Sequence, residues 1–287
     1  MDLANSTSGR FKICVSRRME NPFMDMFSED TRFYLHELTK SDMKKYVQGS
    51  LQSVGTQLER RQLALSITQK AEGVLLWVVL VVQKIRKLSD DGVKFSGLIG
   101  EVESLPIELD QLFQRILDTL GSEDRRLVGH TASLLQYLGM TPAAKSMQLW
   151  LNLGDFYFLE DYVADPRFAE DVQFPHPETE TVRESEVRAR RRLRGACRGL
   201  LEPDRAKDII FIHRSVGDFL KQDKVRAELC EKSFNNVVAL SQLKLASMKH
   251  YWWDVERPSG SKDDKGREIE EKTLRRHSLL AAFLVEQ

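Results

Sequence analysis

Two features of this 287-residue chain could support chemistry, a histidine–serine pair and a run of arginines. In His213-Arg214-Ser215 the imidazole could act as the base for a nucleophilic serine hydroxyl. Ser215 also stands three residues before Asp218, in a capping-box pattern that opens a helix. Because no oxyanion element accompanies the pair, the sequence predicts that Ser215 caps a helix and does not attack a substrate.

The arginine run, Arg190-Arg191-Arg192, could bind the phosphates of a nucleic acid. However, 43 basic residues balance 43 acidic residues, so no overall positive field attracts a polyanion. The acidic segment Glu160–Glu186 also offers partners within the chain. We therefore expect a solvated or self-paired arginine face and no nucleic-acid partner. The alternative is a winged-helix nucleic-acid-binding protein that uses the Arg188–Arg198 helix.

Motifs of nucleotide and metal chemistry are absent from the sequence. There is no G-x-x-x-x-G-K-[ST] loop, no G-x-G-x-x-G and no H-E-x-x-H, and the three cysteines form no C-x-x-C pair. Nucleotide hydrolysis needs backbone amides and a lysine around the β and γ phosphates. We therefore expect no enzyme activity, no catalytic residue, no metal site and no cofactor for this chain alone.

The apolar segments are too short to cross a membrane. The longest apolar run, Val74–Val82, is far below the roughly 20 residues that a bilayer requires, and the first residues lack the pattern of a secretory signal. The sequence predicts a cytoplasmic protein without a membrane partner.

Helical patterns dominate the first half of the chain. Thr39-Lys40-Ser41-Asp42 predicts a helix start by a capping box, and Leu63, Ile67 and Ala71 indicate a second helix that Gly73 ends. Val74–Leu88 is apolar nearly all round, which predicts a helix in the middle of a bundle. The polar stretch Ser89–Gly100 is predicted to be a connector.

The second half combines further helices with one hairpin. Apolar spacing predicts helices over 109–120, 127–138 and 188–198, and Thr141-Pro142 opens another. Residues 199–202 and 209–212 predict a β-hairpin before the helix at Ser215. The acidic segment Glu160–Glu186 is predicted to be irregular. The fold class is mainly α, with a helical lid bundle, a winged-helix-like domain with a small hairpin, and one orphan strand at Phe11–Val15.

Three ordered stretches resemble a known family. The family is that of fungal NACHT-type STAND NTPases. The end of its NTPase core is similar to residues 12–18, and its helical lid is similar to residues 38–47 and 70–82. The domain of unknown function that follows the lid is similar to residues 105–117, 199–202 and 211–220. The resemblance covers about residues 10 to 225. It implies four parts: the last strand of a NACHT core at 1–24, a lid at 25–100, a winged-helix-like domain at 101–225 and C-terminal helices at 226–287.

The resemblance implies a function that the residues alone do not. Such proteins are intracellular switches of fungal non-self recognition and programmed cell death, and a complete protein binds ADP or ATP with Mg²⁺. Because the similarity starts at the last part of the core, we expect a truncated, non-catalytic regulatory segment. Its partner would be a NACHT core or another protein that packs on its helical surfaces.

Three nucleotide-contacting positions follow from the same resemblance. Arg18 corresponds to the sensor arginine that reads the terminal phosphate, His213 to the winged-helix histidine that contacts the diphosphate, and Gly73 to the glycine turn of the lid. The sequence departs from the family at Arg17, Met19 and Glu20, where serine, proline and tryptophan are usual, and the lid turn lacks the usual proline.

Overall fold

The computed structural model describes residues 35–146, 149–172, 181–231 and 233–256. The predicted strand at Phe11–Val15 and the sensor position Arg18 lie outside these residues. Within the described part the chain folds into fourteen helices and one two-stranded antiparallel sheet, which confirms the mainly α prediction. None of these helices combines the length and the apolar character that a membrane span requires.

Four helices make up the first part of the fold. Their bounds are α1 Leu35–Ser50, α2 Gln57–Lys70, α3 Leu75–Asp90 and α4 Phe95–Ser104. Met43, Val47 and Leu51 of α1 and Leu63 and Ile67 of α2 are buried as predicted, but Tyr46 of the predicted α1 stripe is 40% exposed. The helix α3 buries six of its sixteen residues, and Leu75 at its start is exposed. The buried side chains here include Met43, Val47, Leu51, Leu63, Ile67, Trp77, Val78, Val81 and Ile85. Hydrophobic burial on facing stripes therefore holds this bundle together.

Two predicted boundaries in this part are wrong. Thr39 does not cap α1, because the helix already includes residues 35–38. The capping box lies instead at the start of α2, where Thr56 and Glu59 satisfy each other's backbone N–H groups at 3.3 and 2.7 Å.

The connector predicted at Ser89–Gly100 is also wrong, because α4 begins at Phe95. Leu98 and Val102 stand four residues apart and are both buried, so their packing stabilises α4. Gly97 and Gly100 lower the intrinsic helix propensity of this stretch, and tertiary contacts override that cost.

The rest of the described chain surrounds a small hairpin. The helices are α5 Leu109–Asp118, α6 Ser122–Met140, α7 Pro142–Ser146, α8 Leu153–Tyr157, α9 Leu159–Ala164, α10 Phe168–Asp171, α11 Val182–Cys197, α12 Arg214–Leu220, α13 Asp223–Leu229 and α14 Asn236–Glu256. The strands β1 Leu201–Pro203 and β2 Ile209–Phe211 follow α11. They pair antiparallel with Leu201 opposite Phe211, which confirms the predicted hairpin.

The extended residues 151–153 pair with the hairpin as a third segment, which the sequence patterns did not indicate. The Ile209 N–H donates to the Leu151 carbonyl at 2.7 Å, and the Leu153 N–H donates to the Lys207 carbonyl at 3.0 Å. An antiparallel bridge joins Asn152 to Asp208 between them. The residues before α8 therefore satisfy the outer edge of β2.

The acidic segment Glu160–Glu186 is more helical than predicted. It contains most of α9, all of α10 and the first turn of α11. Tyr162 and Ala169 are buried, Glu160, Asp161, Asp165 and Glu170 are exposed, and Glu186 is buried. A short helix needs only one apolar residue per turn to pack, so a high acidic content did not prevent helix formation.

One continuous cluster of buried side chains extends from α1 to α14. The two parts of the fold meet at α3, where Trp77 Nε1 donates to the Pro106 carbonyl at 2.7 Å. The same helix reaches the hairpin, since Gln83 Nε2 donates to Glu202 Oε1 at 3.2 Å. The domain boundaries implied by the resemblance stay predictions.

Candidate functional site

His213 occupies the N-cap position of α12. Its backbone is extended, and its Nδ1 accepts a hydrogen bond from the Ser215 N–H at 3.1 Å, with Ser215 Oγ at 3.0 Å. The prediction that Ser215 caps this helix is wrong, because the imidazole of His213 supplies the acceptor and the helix begins at Arg214. Asp218 pairs instead with Arg214 at 3.8 Å on the exposed surface.

The cap fixes the chemistry of the His213 ring. An N–H group can donate only to a nitrogen with a free lone pair, so the neutral ring carries its proton on Nε2. The side chain is exposed. His213 therefore combines a structural role through Nδ1 with an N–H donor at Nε2 that suits an anionic oxygen.

Gly73 lies in the turn between α2 and α3, as the sequence predicts. Its φ is 85°, and the preceding Glu72 also has a positive φ of 46°. A φ of 85° is strained for a residue with a Cβ, so glycine at position 73 lets the chain leave the path of α2 and start α3 two residues later. Within the described ranges no hydrogen bond or ion pair joins this turn to His213.

A further contact between the two parts of the fold lies at Gly199, which the sequence patterns indicated only as part of the hairpin. Gly199 has φ 85°, and a Cβ there would lie 2.0 Å from Gln83 Oε1 and 3.4 Å from Leu80 Cδ2. Its missing side chain lets α3 approach the chain just before β1. A glycine just after a long helix indicates a tight turn at this position. The sequence does not indicate that α3 is the helix that packs against it.

Arg192 cross-links three helices. Its Nε and Nη2 donate to Glu160 Oε1 at 2.9 and 2.8 Å, and its Nη1 donates to Asp124. These bonds raise the pKa of the guanidinium above its usual value. The expected pairing of the arginine run with the upstream acidic segment is confirmed for this residue.

A buried ion pair joins α14 to the start of α8. Lys244 Nζ lies 2.5 Å from Asp155 Oδ2 and 2.8 Å from the Trp150 carbonyl oxygen, and Ser247 Oγ donates to Asp155 Oδ1 at 3.0 Å. The Asp155 side chain is fully buried and the Lys244 side chain is 7% exposed. Each oxygen of the Asp155 carboxylate accepts a hydrogen bond, so the network has a structural role and is not a vacant binding site.

His130, in the middle of α6, is buried without a hydrogen-bond partner on either ring nitrogen. It stacks on Phe234 with 3.9 Å between the ring centres. Burial, and secondarily the Arg126 guanidinium, lower the pKa of His130 to about 4, while Glu231 opposes this shift. The imidazole therefore behaves as a neutral aromatic group at physiological pH.

His130 makes the fold sensitive to mild acid. Its unfolded pKa is near 6.5, so the unfolded state takes up a proton first as the pH falls from about 6.5 to 4. We expect the free energy of unfolding to drop by about 2 kcal/mol between about pH 7 and pH 5 from this group alone. Urea unfolding at both pH values should show this drop in the wild type and not in His130→Leu. An equal drop in both proteins would contradict the assignment.

The two described cysteines are poor nucleophiles. Burial raises the pKa of the Cys197 thiol, which is completely enclosed, and of the Cys230 thiol. A small cavity beside Cys230, between α6 and α13, has room for about one water molecule. No group of three or more metal-ligating side chains occurs in the parts of the chain that the structure describes.

Comparison with known proteins gives one finding. Neither a curated protein nor a solved structure matches the chain. A family model described as a domain of unknown function, DUF7791, matches residues 124–252. This range begins within α6, ends within α14 and includes the hairpin and His213. The chain therefore contains a DUF7791 domain at residues 124–252.

Proposed function

We propose that this chain is a non-catalytic regulatory segment of a NACHT-type STAND NTPase, in which a helical lid precedes a winged-helix-like domain. In a complete protein of this class the two units close over ADP and move away when ATP with Mg²⁺ binds. The sequence resemblance motivates the proposal. The observation that carries it furthest is the order of elements around the hairpin.

The described elements run from the long α6 through α7, the extended residues 151–153, α8, α9, α10 and α11 to the β1–β2 hairpin and α12. We interpret α6, residues 151–153, α8, α11 and the hairpin as the elements of a winged helix, with α7, α9 and α10 as additional short helices between them. The extended residues pair with β2 through the bonds of Leu151 and Leu153, so three short segments lie side by side. A winged helix also combines helices with a small sheet that ends in a hairpin, and this likeness is the support for the proposed winged-helix-like domain at residues 101–225.

The contact between α3 of the proposed lid and the β1–β2 hairpin would make these two elements move together. Gln83 of α3 bonds to Glu202 of β1, and the missing side chain of Gly199 makes room for the Gln83 and Leu80 side chains. A nucleotide that displaced the hairpin would therefore pull on α3 and on the turn at Gly73. This coupling is what a switch needs in order to pass a local change to its neighbours.

His213 is the described residue best suited to contact the diphosphate of ADP. Its Nε2–H donor is exposed, and the cap holds the ring in one orientation. In a complete protein Arg18 would add a guanidinium fork for the terminal phosphate, and Gly73 would bring backbone close to the nucleotide. ADP or ATP with Mg²⁺ would then be held between this segment and the NACHT core.

The first test measures nucleotide binding and hydrolysis by the chain alone. We expect no heat when ADP or ATP with Mg²⁺ is titrated into the purified chain, no thermal stabilisation, and no release of phosphate. ATP hydrolysis that co-purifies with the chain and disappears in His213→Asn would contradict a non-catalytic segment.

The double role of His213 predicts a difference between two variants. His213→Ala removes the cap acceptor and should lower the free energy of unfolding by about 1 kcal/mol. His213→Asn keeps a side-chain acceptor and should unfold within about 0.5 kcal/mol of the wild type. Urea unfolding measures both, and equal stability of the two variants would show that the ring does not cap α12.

A further inference from the structure

The outward side of α11 carries four arginines in one stripe. At 100° per residue, Arg183, Arg190, Arg191 and Arg194 fall within about 100° of the helix circumference. They span eleven residue steps, or about 16 Å along the axis. Arg183, Arg191 and Arg194 are exposed and Arg190 is half-buried. We call these four residues the arginine face.

The arginine face is not neutralised within the described part of the chain, where no ion pair engages its four members. The carboxylate of Glu184 accepts from the N–H and hydroxyl of Thr181, both at 2.8 Å, in the capping box that starts α11. The carboxylate of Glu186 pairs with Lys207 at 2.6 Å. The nearest acids on the helix therefore already have other partners, so no carboxylate of the described residues neutralises the stripe.

The hairpin turn adds a fifth arginine beside this stripe. The ion pair between Lys207 and Glu186 fastens the turn to α11. Asp204 Oδ1 shapes the turn by accepting from the Ala206 and Asp208 N–H groups at 2.8 and 3.0 Å. Arg205, within this turn, is exposed. The turn that carries Arg205 is therefore held against α11 by the Lys207–Glu186 pair.

The opposite side of α11 is anchored, so the surface is preorganised. Ala189, Leu193 and Ala196 are buried, and Arg192 is tied to Glu160 and Asp124. A ligand therefore needs to order only the arginine side chains and not the helix.

We propose that the arginine face, together with Arg205, binds the phosphate backbone of double-stranded DNA. The width of an α-helix matches the major groove, about 12 Å wide, and the hairpin turn can reach the flanking backbone. All five cations are guanidinium groups, which bind phosphate oxygens in a bidentate way. This inference departs from the sequence-based expectation of no nucleic-acid partner, because a local stripe of arginines can contact phosphates although the net charge of the chain is zero. It goes beyond the proposed function and is tested separately from it.

Three observations favour duplex DNA over other partners. The stripe has no aromatic side chain on which unpaired bases could stack, as single-strand binders require. Val187, 46% exposed, is the one large apolar side chain on it, which is too little for the apolar core of a protein–protein interface. The deep, narrow major groove of duplex RNA does not admit a helix.

The test is fluorescence anisotropy of a labelled DNA duplex with the full chain at several salt concentrations. Neutralising four to five phosphates predicts a slope of log K against log salt of about −4. Affinity should then fall by about 250-fold between about 50 and 200 mM salt. A slope near zero would overturn the proposal.

The variant that tests the arginine face is the triple substitution Arg183→Gln, Arg191→Gln and Arg194→Gln. Glutamine keeps high helix propensity, so α11 should persist, as circular dichroism can verify. We expect the salt slope to shrink to about −1 to −2 and the affinity at low salt to fall more than tenfold. The matched control, Arg61→Gln with Arg86→Gln, removes exposed arginines from α2 and α3 and should leave both values unchanged. Equal losses in the two variants would overturn the proposal.

Three competitors separate the classes of ligand. Unlabelled duplex DNA should displace the probe, whereas single-stranded DNA, duplex RNA and poly-glutamate should need at least tenfold higher concentrations. If poly-glutamate competes as well as the DNA duplex, the surface binds acidic proteins and the DNA proposal is wrong. If single-stranded DNA or duplex RNA competes equally, recognition of the duplex groove is wrong. None of these outcomes depends on nucleotide binding or on a NACHT core.

Discussion

Replacing Lys244 by methionine is expected to lower the free energy of unfolding by about 3–5 kcal/mol. The Lys244 ammonium is the cationic partner of Asp155, whose side chain is fully buried. Methionine fills a similar volume but leaves the carboxylate with only hydrogen bonds from Ser247 and the Asn152 N–H. An uncompensated buried charge is among the most destabilising changes that a fold can suffer.

Urea unfolding followed by circular dichroism measures this loss, with Lys224→Met on the exposed side of α13 as the matched control. The double variant Lys244→Met with Asp155→Asn removes both charges and should recover at least about 1 kcal/mol relative to Lys244→Met alone. A loss below about 1 kcal/mol in the single variant would show that the pair contributes little. A double variant no more stable than the single one would show that the buried charge is not the cause.

Gly129→Ala is expected to destabilise the fold by about 3 kcal/mol, because α6 and α13 touch at this residue. A Cβ on Gly129 would lie 2.2 Å from the carbonyl oxygen of Leu229, and 2.6 Å from its carbonyl carbon. Both are backbone atoms, so no side-chain rotation relieves the clash and α13 must move away. The cavity beside Cys230, which the same helices line, would then widen.

The control lies on the same helix. Gly139 has open space where its Cβ would stand, so Gly139→Ala should leave the packing intact and stabilise α6 by up to about 1 kcal/mol. Thermal and urea unfolding of both variants give the comparison. Equal stabilities of the two would mean that the close approach of α6 and α13 relaxes at little cost.

Much of the fold follows from the spacing of apolar residues. The stripes through Leu63 and Ile67 and through Ala189 and Leu193 predicted buried helix faces, and each of these side chains is buried. The two apolar runs around the turn before Ile209 predicted the hairpin. Burial of a periodic face is a local property of the sequence, so a single chain is sufficient to show it.

Features that depend on a distant partner could not be predicted in this way. The helix α4 forms despite two glycines because Leu98 and Val102 find a core that the sequence does not display. The need for glycine at position 129 comes from Leu229, one hundred residues further along. The partners of Asp155 lie on α14, and a lone acid or lysine in a helix gives no sign that it will be buried.

The candidate site residues also differ in how far the sequence alone could predict their roles. Gly73 was placed correctly because a glycine at the end of a helical pattern has a local meaning, and its φ of 85° agrees. His213 was chosen from the family resemblance, but its capping role was assigned to Ser215. Serine is the usual cap, and only the geometry reveals that the imidazole Nδ1 takes this place. Arg18 lies outside the described residues.

The most direct test of the proposed function is the affinity of the chain for a recombinant fungal NACHT core that contains the phosphate loop, measured by titration calorimetry with ADP and again with ATP and Mg²⁺. We expect binding that is at least tenfold tighter with ADP, and we expect His213→Asn to remove most of that difference. No binding in either nucleotide, or equal affinities that His213→Asn leaves unchanged, would contradict the assignment of this chain as a nucleotide-dependent regulatory segment.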